Sequence, residues 1–519
     1  MELQKGEDIL REDRRRFLSG NAADMLFETA ASQPDQAAVV ADGAATSYRD
    51  LARQARSVAS LLVRNGLEPG DRVGILSHRD VRAAACFFGA LACGAVAVMV
   101  NELLRPRQIE HILGHSGAKF LLTTGEVFDR LPARPATDVL VLRLTDLPAS
   151  DDPDPRRRTD RDVAQIIYTS GSTGLPKGVV LSHGNLWAGM LAVVDYLGIS
   201  RDDRIASLLP FSFDYGLNQL LCCAGTGATL VVERSPVPQR IVQTLRREAV
   251  SVLPAVPPLW LQLLGVEAFS SEPLESLRVM TNTGGRLPAE AVRKLRRCQP
   301  EADLVLMYGL TEAFRSAYLP PEQADHKPTS VGRAIPGAEL LVLNDELSPC
   351  KPNEVGMLVH RGPTVALGYW NDEEATAKVF RDNPLRPAGT PPAERVVFSG
   401  DLVYRDEDGD LYVVGREDGL IKTMGYRVSP DEIVDVLYAS GQVVEALVTS
   451  EPDELRGSRI VAYVVLAEQG RLDRLMQFAA EQFPRYMQPS RIEARRALQR
   501  TSSGKHDAAA TVRHQDDPD

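Results

Sequence analysis

Short apolar runs rich in β-branched residues alternate with longer Ala/Leu/Arg-rich stretches from residue 37 onward, and this alternation restricts the fold more than any other feature. QAAVVADG, RVGILS, AVAVMV, KFLLTT and DVLVLR read as strands, with helical stretches such as YRDLARQARSVASLLVRNG between them. Alternation of this kind builds a parallel or mixed sheet flanked by helices. A polar, Pro-containing loop, DDPDPRRRTDRD, interrupts the pattern at 151–162. It resumes with the strands QIIYTS, ATLVVE, VSVLPAV, LRVMTNTG and ADLVLMYG and the helices RIVQTLRRE and PAEAVRKLRRC. From about residue 330 the texture changes to AELLVLNDE, VGMLVHRG and RVVFSGDLVYRDEDGDLYVVG, which predicts a small antiparallel β unit with a hairpin turn at DEDGD. The mixed helix and strand pattern after Arg416 is long enough for a small separate domain, with the boundary between Arg416 and Gly419.

At roughly 100–200 residues per domain, a chain of 519 residues is expected to hold two or more cores. With 59 basic against 70 acidic residues, a net charge of −11 and no long Lys/Arg block, the chain lacks the clustered positive charge that nucleic acid requires. Cys86, Cys93, Cys222, Cys223, Cys298 and Cys350 show no zinc spacing and no disulfide framework. The segment MELQKGEDILREDRRRFLSG has no apolar stretch of the secretory type, so a cytoplasmic location is expected. Ala83 to Val100 is 18 uncharged residues, near the length of a membrane helix. Its Ala-rich composition predicts instead a buried helix followed by a buried strand, with no membrane span.

The strongest local signal is IIYTSGSTGLPKGVVLSH. Ser170, Ser172 and Thr173 interleave with Gly171 and Gly174 directly after an apolar strand, so backbone N–H groups and hydroxyls can converge on one anion. Lys177 adds a point charge suited to phosphate. A Gly/Ser linker would not be flanked by two strand-like runs, and the Walker pattern is absent.

YTSGSTGLPKG resembles the phosphate-loop signature of the adenylate-forming superfamily, which contains acyl-CoA synthetases, amino-acid adenylation domains and luciferases. Four further motifs follow in the family's order, and the similarity spans nearly the whole chain. The resemblance implies an α/β fold: a large N-terminal domain of stacked α/β sheets plus the small β unit (1–416), a hinge (417–419) and a smaller mobile α+β C-terminal domain (420–519). It implies that Thr169, Ser170, Gly171, Ser172, Thr173, Gly174 and Lys177 hold the phosphates of ATP. Gly284, Gly285 and Arg286 of NTGGR would line the adenine. In MYGLTEA, Met307, Tyr308 and Gly309 would adjoin the nucleotide, Thr311 the α-phosphate, and Glu312 would hold Mg²⁺. Asp401 matches the ribose carboxylate and Arg416 its companion; Asp418 matches the hinge residue; Gly425 and Tyr426 match the loop of the thiol tunnel. In RTSSGKHD, Lys505 matches the catalytic lysine, a fixed cation where negative charge gathers in the transition state. The residues after it depart from the family pattern, and a frayed tail is expected there.

SLLPFSFDYGLNQLLCC is where related enzymes begin their acyl pocket, which points to Phe213, Asp214 and Asn218, with Trp260, Gly284 and Gly309 as further wall. Asp214 stands in an apolar stretch, and a buried carboxylate needs a cation or hydrogen bonds. It can be aligned with the aspartate that binds the substrate ammonium in amino-acid-activating relatives. It can equally be set beside the Pro-x-Phe-His pattern of acyl-CoA ligases, or cap a helix starting near Tyr215. Trp260 also fits simple core packing.

The chemistry implied is attack of a small carboxylic acid on Mg·ATP, release of pyrophosphate, and transfer of the acyl group to a thiol of coenzyme A or of a carrier-protein phosphopantetheine. The motifs most resemble stand-alone acyl-CoA ligases and prolyl–carrier-protein ligases. No Leu-Gly-Gly-x-Ser carrier motif occurs in the sequence, so a separate carrier protein or coenzyme A is expected as partner. The alternative is an amide-forming synthetase that passes the adenylate to a free amine.

Overall fold

The computed structural model describes residues 20–128, 139–143, 156–169, 176–390, 394–417, 419–423, 426–453, 457–501 and 504–513. Among them the strands gather into five sheets, and two large sheets carry the architecture. One has seven strands, ordered Gly368–Tyr369, Lys177–Ser182, Val163–Thr169, Val96–Met99, Arg72–Leu76, Ala118–Thr123 and Leu140–Arg143. The other has nine, and its centre is a parallel run: Asp303–Tyr308, Val279–Asn282, Val252–Ala255, Arg204–Ser207, Thr229–Val232 and Ala37–Ala41.

Helices fill the space between the two sheets. Val81–Ala92 is apolar on nearly every face because it is enclosed: every residue from Ala83 to Ala92 is buried. The strand Val96–Met99 follows it, equally buried, as the long uncharged run predicts. Gly89 lets this helix meet the helix Tyr48–Arg64, since a Cβ there would lie 2.6 Å from the Ala55 carbonyl oxygen. The helices His183–Leu197 and Asp214–Thr226 join the same core. No described helix is long and apolar enough to cross a membrane.

The β unit is a five-stranded antiparallel sheet built around Gly356–Arg361 and Arg395–Arg405, with Leu411–Arg416 paired back across the DEDGD turn. The later part of the chain has its own core, in which Pro430–Ala439 and Leu472–Gln482 cover a sheet of Val443–Asp453, Gly457–Leu466 and Arg491–Ala494. Leu261, from the helix Pro257–Leu264 of the large sheet region, packs against that core. The expected frayed tail is corrected in part: Ala508–Arg513 is helical with Thr511 buried, because that hydroxyl accepts the Gln499 backbone N–H at 3.0 Å.

In both large sheets the parallel strands deliver their carboxyl ends to one side, where ligand sites form in open α/β sheets. From those ends run Phe213 and Asp214, Val256, Gly284 to Arg286, and Gly309 to Glu312, while Thr169 ends the strand that leads into the phosphate loop.

Candidate active site

Thr169 and Lys177 face each other as the last and first residues of paired antiparallel strands. Ser170, Gly171, Ser172, Thr173 and Gly174 lie outside the described residues, as do Asp418, Gly425 and the side chain of Tyr426. The Lys177 ammonium stands 3.8 Å from Asp372 Oδ2 and 5.6 Å from the centre of the Tyr369 ring. The Tyr369 hydroxyl in turn donates to Glu312 Oε1 at 2.6 Å. Burial, and then the Glu312 charge, push the Tyr369 phenol well up, so it stays a proton donor. Lys177, Tyr369 and Glu312 thus converge, and the Glu312 carboxylate is held in one orientation.

Thr311 and Glu312 open a short 3₁₀ turn, Thr311–Ala313, after the strand Asp303–Tyr308. Tyr308 donates its hydroxyl to Asp401, and Asp401 lies opposite Arg416 in the hairpin, with their charged groups 3.8 Å apart. Behind Tyr308 the ring of His360 stacks at 5.9 Å and 23°. Burial depresses His360 to about 3, so it is a neutral plate under the tyrosine.

Lys505 reaches this region from the later part of the chain. Its Nζ lies 5.3 Å from the Phe213 ring centre, and its Cε is 3.2 Å from where a Gly284 Cβ would be. Gly284 has φ +81°, and the missing side chain is what lets the lysine stem pass.

Several expected site residues are placed elsewhere. Arg286 pairs with Asp435, a cross-contact between the two parts of the chain. Trp260 is fully buried in the second core, so it forms no pocket wall. The Met307 side chain lies in the main core, its sulfur accepting the Tyr196 hydroxyl at 3.0 Å. Asp214 does not act from the cap position: Phe213 precedes the helix, and Asp214 is its first residue, accepting the Tyr215 N–H at 2.8 Å. Its cation is Arg315, whose Nη1 is 3.6 Å from Asp214 Oδ2 and whose Nη2 donates to the Asp214 carbonyl at 3.2 Å. Asn218 is buried along the wall of a small cavity. The sequence names neither Arg315 nor Tyr369 individually, although Arg315 lies in TEAFRSAYLPPE, a stretch expected to supply part of the acyl-pocket wall. Each works through a partner far away in sequence, which no local pattern shows.

A family model described as AMP-binding enzyme matches residues 26–370, and one described as AMP-binding enzyme C-terminal domain matches 432–505. The chain belongs to this adenylate-forming enzyme family. It is 30% identical over 503 residues to a linear gramicidin synthase of Brevibacillus parabrevis, covering 95% of this chain but 10% of that much longer protein. It is 29% identical to the L-proline–[L-prolyl-carrier protein] ligase of Pseudomonas fluorescens, covering 94% of this chain and 98% of that one. Among solved structures, ATP-bound MatB from Rhodopseudomonas palustris is similar at a TM-score of 0.85 and 26% identity, covering 95% of this chain and 98% of that one.

Proposed function

We propose that the chain activates a small carboxylic acid to its acyl-adenylate with release of pyrophosphate, then passes the acyl group to a thiol of coenzyme A or of a separate carrier protein. The observation that carries this reading is the approach of Lys505 to Gly284 and Phe213, at the end of the strand that pairs with the one leading to Thr311 and Glu312. A cation there meets the carboxylate and the α-phosphate together, where charge accumulates as the anhydride forms. Thr169 and Lys177 bound the loop that takes the phosphates; Tyr308, backed by His360, offers a flat face to the adenine, and Asp401 and Arg416 stand beside it for the ribose. The Glu312 carboxylate, oriented by Tyr369, suits Mg²⁺, which when bound neutralises phosphate charge. Residues 417–419 form the hinge and 420–519 the mobile domain in this reading. Gly425 and Tyr426 line the path of the incoming thiol.

Catalysis of this kind needs positioning and charge neutralisation, not a protein nucleophile. The cysteines agree: all six are free, and burial pushes Cys86, Cys93, Cys222 and Cys223 upward, away from thiolate reactivity. ATP–pyrophosphate exchange against fatty, aryl, keto and amino acids tests the first half-reaction. Lys505→Ala is expected to lower exchange by several orders of magnitude with ATP affinity nearly unchanged, because its contact strengthens in the transition state. An unchanged single-turnover rate would remove Lys505 from the chemistry. Product analysis with a thiol and with an amine then separates thioester from amide formation.

A further inference from the structure

Lys505 stands in a turn that is gripped from outside. Arg500 and His506, one before and one after it, face each other as an antiparallel bridge. Between them the Thr501 N–H donates to the Lys505 carbonyl at 2.8 Å, and the Lys505 N–H donates to Thr501 Oγ1 at 3.2 Å. The backbone of Lys505 is thus held on both sides by one threonine. Its flexible stem is not, so where the ammonium arrives depends on how the turn is tilted.

Glu445 reaches this turn from another element, the strand Val443–Asp453, beside a register shift between Val443 and Glu445. Bulges of this kind re-aim the side chains next to them. The two carboxylate oxygens divide between the two flanks of the lysine: Oε1 accepts from Arg500 Nη2 at 2.7 Å, and Oε2 accepts from His506 Nε2 at 3.3 Å. An ionised carboxylate offers acceptors only, so His506 carries a proton on Nε2. The side chains of Glu445, Arg500 and His506 are 14%, 24% and 18% exposed, so the grip is mostly sheltered from water.

The grip is itself anchored. Ala446, the next residue, gives its N–H to the buried Tyr438 hydroxyl at 3.2 Å, which ties the strand to the helix Pro430–Ala439. The same helix carries Asp435, the partner of Arg286 in the larger part of the chain. A continuous set of contacts therefore runs from that interface through Glu445 to both flanks of Lys505. His506 is the first residue past Lys505, where the sequence leaves the family pattern, so this arm of the grip belongs to this chain.

We propose that Glu445, acting through Arg500 and His506, is a positioning residue that places Lys505 for adenylate formation. It sets the tilt of the turn, and with it the place of the ammonium beside Gly284 and Phe213. This rests on the adenylation reading above and deepens it. A cation that acts on charge developing in the transition state is sensitive to such placement: a shift of about 1 Å can cost on the order of a hundredfold in rate.

The test is ATP–pyrophosphate exchange by the full chain with the best acid of the panel above, with kcat referred to ATP sites counted by binding stoichiometry, so that misfolded protein does not enter. Glu445→Gln leaves one acceptor oxygen for two donors, and His506→Met keeps bulk without a donor. Each is expected to lower kcat about tenfold or more, with KM for ATP and for the acid within about twofold of the parent. His506→Gln restores an N–H donor near the place of Nε2 and is expected to bring kcat back to within about threefold of the parent. The Glu445→Gln/His506→Met double variant is expected to be at most about twofold slower than Glu445→Gln alone, because both changes act through one contact. Equal kcat in His506→Met and His506→Gln, losses that multiply in the double variant, or a rise in KM in place of a fall in kcat overturns the positioning role while adenylation stands. Exchange with no acid on the panel, or an unchanged rate in Lys505→Ala, overturns both.

Discussion

At the scale of single residues, the site depends on side chains held in positions that tolerate little change. Phe314, between Glu312 and Arg315, is fully buried with φ +51°, a conformation that bulky residues rarely adopt. It is accommodated by Gly189 in the helix His183–Leu197, where a Cβ would run into the Phe314 ring at Cδ1. Gly189→Ala is therefore expected to destabilise the protein by ~1–3 kcal/mol through overpacking. It should also displace Glu312 and Arg315, so thermal unfolding and pyrophosphate exchange should worsen together. A normal unfolding midpoint would contradict this account of the close approach. Tyr369→Phe is a gentler change, since the ring remains beside Lys177 and only the hydrogen bond to Glu312 is lost. The expected loss is about 1.5–3 kcal/mol, read as a rise in the Mg²⁺ concentration needed for half-maximal exchange with little change in unfolding temperature. At this scale the sequence displays the motif residues themselves but not their pairings. Asp214 is legible as a carboxylate in need of a partner, whereas Arg315 becomes that partner only because the strand Asp303–Tyr308 ends beside the helix Asp214–Thr226.

At the scale of elements, strand positions are readable because β-branched runs between turn residues persist whatever the tertiary context. The predicted runs from QAAVVADG through ADLVLMYG all contain strands, and RVVFSGDLVYRDEDGDLYVVG is a hairpin. What the pattern does not contain is spatial order. That Val252–Ala255 lies between Arg204–Ser207 and Val279–Asn282, while Val163–Thr169 belongs to a different sheet, follows from long-range packing of helices. The acidic DEDGD turn shows the same limit. Its Asp406, Asp408 and Asp410 all accept hydrogen bonds from the Lys327 ammonium, at 2.7, 2.8 and 2.5 Å, so the lysine occupies the centre of the acidic trio. Burial tends to raise Asp406, but the Lys327 hydrogen bond and the Asp410 N–H outweigh it and leave Asp406 below its ordinary value. A lowered carboxylate stabilises the fold above its unfolded value of 3.8 and loses that contribution as pH falls through the folded one. The lysine itself is raised by the three carboxylates, so its side of the interaction stays complete across neutral pH. Lys327→Met should therefore lower the unfolding midpoint at neutral pH, with the gap from the parent protein closing in acid. A gap of constant size across that range would mean that the trio is not what Lys327 stabilises.

At the scale of the whole molecule, the contacts between the later part of the chain and the larger part include Leu261 packed on the later core, Lys505 on Gly284 and Phe213, and Asp435 on Arg286. The Lys505 contact serves the adenylation reading, and the Asp435 contact is the titratable one. Burial raises Asp435 to about 6, and the negative neighbours Asp431 and Glu432 add to the rise against the opposing pull of Arg286. Because the raised value belongs to the docked arrangement, docking favours the protonated carboxyl. Its contribution is complete below the ordinary value of 3.8 and is lost as pH rises through about 6. Docking is thus expected to loosen across that interval, and in the adenylation reading proposed above that loosening would let the later part of the chain swing away between the two half-reactions. Energy transfer between one fluorophore on each part should fall over the interval in the parent protein. In Asp435→Asn, which keeps the shape but cannot titrate, the profile should be nearly flat. If both proteins gave the same pH profile, the loosening would have to come from another group and Asp435 would be reduced to a plain ion-pair contact. If only the parent responds, the ratio of thioester formation to pyrophosphate exchange should rise with pH in the parent and not in the variant, tying the interface carboxylate to the order of the two half-reactions.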